Sequence, residues 1–110
     1  MKRILGIVLS LALVGMMASG QAPASAPSPA TTVKIDNFMF GPMTLEVSRG
    51  ATVTWVNKDD IPHVVASTTG VFKSRAIDTD GTFSYTFADA GTFEYYCSVH
   101  PKMTGKIVVK

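Results

Sequence analysis

From Val33 onward, apolar and polar residues alternate at every second position, in runs too short for anything but strands. Val33 and Ile35 alternate with Lys34 and Asp36, Leu45 and Val47 with Thr44, Glu46 and Ser48, and Phe83, Tyr85 and Phe87 with Ser84 and Thr86. The runs from Thr52 to Asn57, around Trp55, and from Thr92 to Cys97 are rich in β-branched and aromatic residues, and Lys106 to Lys110 closes the chain. Successive side chains of an extended segment point to opposite faces, so this pattern gives each strand one face for a core and one for water. No helix-length window carries a 3.6-residue period. Turns are marked by Gly41-Pro42, Arg49-Gly50, Thr69-Gly70, Asp80-Gly81 and Ala90-Gly91. Short strands at this spacing predict an all-β sandwich or barrel. The stretch from Val64 to Thr79 is the least regular and is read as a long connection holding one or two short strands.

The first twenty residues differ in kind. Lys2 and Arg3 precede Ile4 to Ala18, which carry no charge, and Ala18-Ser19-Gly20 supplies small residues. This is the layout of a secretory signal peptide, with cleavage expected after Gly20. The apolar stretch is shorter than the ~20 residues a membrane span needs, so membrane contact is expected only if the segment is retained. No Cys lies near the cleavage region, which excludes a lipoprotein. Residues 21–32, rich in Pro, Ala and Ser, read as a disordered leader, and residues 33–110 as the folded domain. Within the whole chain 46% of residues are hydrophobic and 16% charged, which excludes a disordered chain or coiled coil. Without residues 1–20 the basic and acidic residues balance. With no basic stripe, nucleic-acid binding loses its driving force.

Exported domains this small often depend on disulfides, but Cys97 has no second cysteine to pair with. An unpaired thiol outside the cell is a liability unless something occupies it. Cys97 opens the run Cys97-Ser98-Val99-His100-Pro101-Lys102-Met103, and His63 follows Pro62 in the loop after the Trp55 strand. Taken singly, such a Cys is more often a small buried hydrophobe, such a His a surface residue and such a Met a core residue. Together they spell C-x2-H-x2-M with a distant His. Two imidazoles, a thiolate and a weak thioether are the donor set of a blue-copper electron-transfer site.

On these residues the chain resembles the cupredoxins, the type 1 blue-copper family. The segment Ala51-Thr-Val-Thr-Trp-Val-Asn-Lys-Asp-Asp-Ile-Pro-His63 is similar to the family's strand and loop leading to its first His ligand. Ala90-Gly-Thr-Phe-Glu-Tyr-Tyr-Cys-Ser-Val-His-Pro-Lys-Met-Thr-Gly-Lys-Ile-Val-Val109 is similar to its C-terminal ligand loop and closing strand. The resemblance covers residues 33–110. It implies a Greek-key β-sandwich of about seven to eight strands and one copper ion bound by His63, Cys97 and His100, with Met103 as axial ligand. The implied function is one-electron transfer in the periplasm, not enzymatic catalysis. The implied partners are a transient electron donor and acceptor, such as a dehydrogenase or a c-type cytochrome, visited by a monomer. An apolar patch around His100 is expected from Phe38, Ile61, Pro62, Ile77, Val99 and Pro101, with Phe38 and Ile77 equally readable as core. Pro62 and Pro101 restrict the backbone beside the two His.

Two positions depart from the family. Val64 stands where many cupredoxins carry an Asn that ties the ligand loops together; Ser98 keeps its hydroxyl without that partner, and the Val64 N–H remains available to the Cys97 sulfur. Lys102 stands where an aromatic residue is usual. Of the competing readings, an immunoglobulin-like domain would need Tyr at Phe93 and Cys at Tyr95. A copper enzyme would need further His for a second centre, and structural zinc would need four Cys or His. A periplasmic copper chaperone or sequestering protein stays open; such proteins display Met and His clusters, whereas Met39 and Met43 flank Phe40 and read as core.

Overall fold

The computed structural model describes residues 31–110; the proposed signal segment and the leader up to residue 30 lie outside the described residues. Eight strands form: β1 (Thr32–Asp36), β2 (Met39–Gly41), β3 (Thr44–Val47), β4 (Ala51–Asn57), β5 (Val65–Ser67), β6 (Thr82–Phe87), β7 (Gly91–Cys97) and β8 (Thr104–Val109). They make two four-stranded sheets, ordered β2-β1-β4-β6 and β3-β8-β7-β5. The chain crosses between sheets at every connection from β2 to β7, giving the Greek-key sandwich that the alternation and the resemblance predict. β1 runs parallel to β4 and β3 parallel to β8; the other pairs are antiparallel. Thr32 pairs with Thr54, so β1 begins one residue before Val33.

The inward positions are those the alternation marks. Val33 and Ile35 of β1, Val53 and Trp55 of β4, Tyr95 and Cys97 of β7, and Ile107 and Val109 of β8 are all buried. Trp55 joins the sheets: it meets Tyr95 edge-on at 5.3 Å and lies against Phe72 and Phe83 at 5.7 and 5.5 Å. Fully burying one such apolar side chain contributes roughly 1.5–3 kcal/mol, so this aromatic layer is a large part of what holds the two sheets together. β8 passes so close over Tyr95 that a Cβ on Gly105 would lie 2.6 Å from its ring and hydroxyl, which only glycine avoids.

Two expectations need correction. Met39 and Met43 are not core: they are 57% and 56% exposed, because the three-residue β2 turns only Phe40 inward and Met43 lies in the connection between β2 and β3. Ile77 is core and not part of an apolar surface patch. It is buried and exchanges both backbone hydrogen bonds with His63, at 3.1 and 2.8 Å. That bridge, with β5 and a second bridge between Ala66 and Lys73, is the order found in the long Val64–Thr79 connection.

Candidate metal centre

β4 and β7 are interior strands of their sheets, and the loops that leave their C-terminal ends meet. β7 ends on Cys97. The register pairs Val65 with Cys97, which brings His63 and Val64 alongside the thiol, and the Val64 N–H donates to Cys97 Sγ at 3.4 Å. The hydrogen bond that the missing Asn left to the backbone is therefore made.

The Cys97–Met103 loop consists of two successive tight turns. The His100 N–H donates to the Cys97 carbonyl at 3.1 Å and the Met103 N–H to the His100 carbonyl at 2.8 Å. The Cys97 N–H closes the loop onto the Met103 carbonyl at 3.0 Å. The two-residue gaps in C-x2-H-x2-M are thus the gaps of two i to i+3 turns, and each putts a candidate donor at a turn junction. Cys97 and His63 are fully buried, Met103 nearly so, and His100 is half-buried.

The donor atoms of His63, Cys97 and His100 lie within 4.8 Å of one another. Cys97 Sγ is 3.5 Å from His63 Nδ1 and 3.9 Å from His100 Nδ1. Nitrogen and sulfur atoms bound at about 2.0–2.3 Å around a common centre, at near-trigonal angles, would stand about 3.8 Å apart. The spacing therefore fits one ion between them. A soft thiolate with two imidazoles suits copper in both its oxidation states.

The His63 tautomer is fixed from outside. Its Nε2 lies 2.8 Å from Asp59 Oδ2; an ionised carboxylate only accepts, so Nε2 carries the proton and Nδ1 turns its lone pair to the centre. Burial pushes the Asp59 carboxyl up, but the N–H groups of Phe38 and Asn37, together with His63, outweigh that and hold it below the usual carboxylate range. Asn57, fully buried at the end of β4, organises the same loop. Its amide donates to the Ile61 and Ile77 carbonyls at 2.9 and 2.8 Å, and its Oδ1 accepts the Asp59 N–H at 2.8 Å. Sequence reasoning missed both residues. The only local signal was an Asn two residues before an Asp, the pattern of an Asx turn.

Around His100, Phe38 and Val99 are 49% and 54% exposed, Pro62 and Pro101 are exposed and Ile61 is half-buried. The Phe38 ring stands edge-on to His100 at 5.1 Å and to His63 at 5.8 Å. Lys102 is exposed.

Fold and donor set together define the class: the chain belongs to the cupredoxin-like domain family, matched over residues 7–109. Within it, the short gap between His100 and Met103 points to the amicyanin group rather than to the longer-looped plastocyanins. The chain is 36% identical to the amicyanin of Paracoccus denitrificans over 94 residues, covering 81% of this chain and 72% of that one. Among solved structures, the Cu(I) form of an amicyanin variant matches with a TM-score of 0.72 at 36% identity, over 77% of this chain and 86% of that one. A purple cupredoxin from Nitrosopumilus maritimus matches with a TM-score of 0.69 at 32% identity, over 73% of this chain and 99% of that one.

Proposed function

We propose that the protein carries single electrons on one copper ion held by His63, Cys97 and His100, with Met103 as a weak fourth ligand. The observation that carries this reading is the convergence of three donor atoms within 4.8 Å on hydrogen-bonded loops, with His63 and Cys97 buried and His100 half-buried. When bound, copper supplies a one-electron couple. The chain supplies the rest. His63 and Cys97 exclude water from two of the donor positions, and the backbone bonds across the Cys97–Met103 turns limit rearrangement between oxidation states. His100, half-buried beside Phe38, is the route by which an electron leaves. Phe38, Ile61, Pro62, Val99 and Pro101 form an apolar rim suited to brief docking with a donor and an acceptor, such as a dehydrogenase or a c-type cytochrome.

In this reading residues 1–20 direct export to the periplasm, the stretch from residue 21 up to β1 is a spacer, and the domain from β1 to β8 works as a monomeric carrier. Deep burial of Cys97 and His63 favours a carrier over a copper chaperone, because handing over a metal requires ligands within an acceptor's reach. The test is to reduce and reoxidise the copper-loaded protein in the presence of a Cu(I) chelator. A carrier keeps its copper and regains its colour through repeated cycles. Transfer of the copper to the chelator on first reduction would establish the chaperone reading instead.

A further inference from the structure

We infer that Asp59 is the positioning residue of the centre, one carboxylate that fixes both the His63 imidazole and the β1–β2 turn carrying Phe38. The inference rests on the copper reading for its effect on potential, but not for the clamp itself. Asp59 Oδ2 accepts from His63 Nε2 at 2.8 Å and from the Phe38 N–H at 3.0 Å, while Oδ1 accepts from the Asn37 N–H at 2.6 Å. The turn needs such a hold. Asn37 and Phe38 have φ of 55° and 59°, the left-handed geometry of a two-residue hairpin turn whose second position normally falls to glycine. Phe38 has a Cβ that disfavours it. Charge-assisted bonds from two adjacent N–H groups to one carboxylate offset that cost.

Asp59 is itself held. Its N–H donates to Asn57 Oδ1 at 2.8 Å, and its carbonyl accepts from Thr79 Oγ1 at 2.6 Å. Three N–H donors aim at two oxygens, and this arrangement requires an ionised carboxylate. An Asn side chain would set its NH₂ against at least one of them. The turn then places the Phe38 ring edge-on to both imidazoles. The same anion that sets the aromatic rim also makes His63 Nδ1 a stronger donor, which favours the oxidised ion over the reduced one.

The test compares the full chain with Asp59→Asn and with Thr79→Val, which removes a support of Asp59 without removing its charge. In the metal-free proteins, exchange of the Asn37 and Phe38 amides should speed up about tenfold or more in Asp59→Asn, given the strength of hydrogen bonds to charged groups. In the copper-loaded proteins its reduction potential should rise, while that of Thr79→Val stays near the parent's. Should Asp59→Asn fold poorly, the Asn37 amide and the potential are read in Phe38→Gly/Asp59→Asn against Phe38→Gly, where glycine takes the turn without strain. Unchanged amide exchange would overturn the clamp, and an unchanged potential with faster exchange would overturn the link to His63. If the parent protein binds no copper while the amides respond as expected, the copper reading fails and the clamp stands.

Discussion

Replacing Asn57 by Ala should destabilise the metal-free protein by about 2–4 kcal/mol, because two polar groups lose their partner in a half-buried loop. The side chain makes three hydrogen bonds. The Ile77 carbonyl also receives the His63 N–H at 3.1 Å, so it is not orphaned. The Ile61 carbonyl and the Asp59 N–H lose the Asn57 side chain, at about 1–3 kcal/mol for a fully buried group and less where water enters. The void left by the amide adds to this. A domain of this size has about 4–12 kcal/mol in all at roughly 0.05–0.15 kcal/mol per residue, so the loss is a large share. It corresponds to a fall in Tm of about 8–30 °C. Thermal and urea unfolding of the metal-free protein measure it, with Thr52→Val as control. Thr52 and Thr86 share an exposed hydroxyl pair at 2.7 Å, whose loss should stay near 0.5 kcal/mol. An Asn57→Ala cost no larger than the control's would refute the claim that this amide holds the loop carrying Asp59 and His63.

Three further outcomes are expected. Met103→Leu should keep copper and colour while raising the reduction potential, since the thioether contributes more to the oxidised ion; voltammetry reads the shift, and loss of copper would make Met103 a primary ligand. Lys102→Glu should slow association with an acidic redox partner at low salt, and the difference should fade as salt screens charges beyond ~8 Å at physiological ionic strength; stopped-flow rates across a salt series show this, and identical rates would leave docking to the apolar rim. Burial pushes the Tyr95 phenol up to about 12, against a smaller opposing effect of the Trp55 side chain. Because its folded value is raised, its contribution to stability is intact below the unfolded value near ~10 and is lost as pH climbs toward about 12. Relative to the parent, Tyr95→Phe should therefore gain in urea midpoint across that window, and parallel curves would contradict the assignment.

How much of this was readable in advance follows from where the information lies. The β-prone, aromatic run from Thr92 to Cys97 leads straight into the proposed ligand loop, so the strand that delivers Cys97 was legible from local order alone. So was the pairing of C-x2-H-x2-M with a Pro-His loop, because each half is contiguous in sequence. Met39 was misread because a three-residue strand is too short for its period to declare itself, and Phe40 alone takes the inward place; Met43 lies in the connection between β2 and β3, where no period applies. Ile77 was ambiguous because its burial depends on pairing with His63 across a long connection. Asn57 and Asp59 were missed for a related reason. Their work is done on carbonyls and N–H groups of residues 37, 38, 61, 63 and 77, which only the folded chain brings together. The left-handed Phe38 is the clearest case, since the group that stabilises it lies 21 residues away.

The central claim is that Cys97 binds copper as a thiolate between two imidazoles. The visible absorption spectrum of the protein loaded with one equivalent of Cu(II), recorded beside Cys97→Ser, tests it most directly. The account predicts intense sulfur-to-copper charge-transfer absorption in the parent, abolished in Cys97→Ser. A parent that holds its Cu(II) without that absorption, or a Cys97→Ser protein that keeps it, would contradict the account.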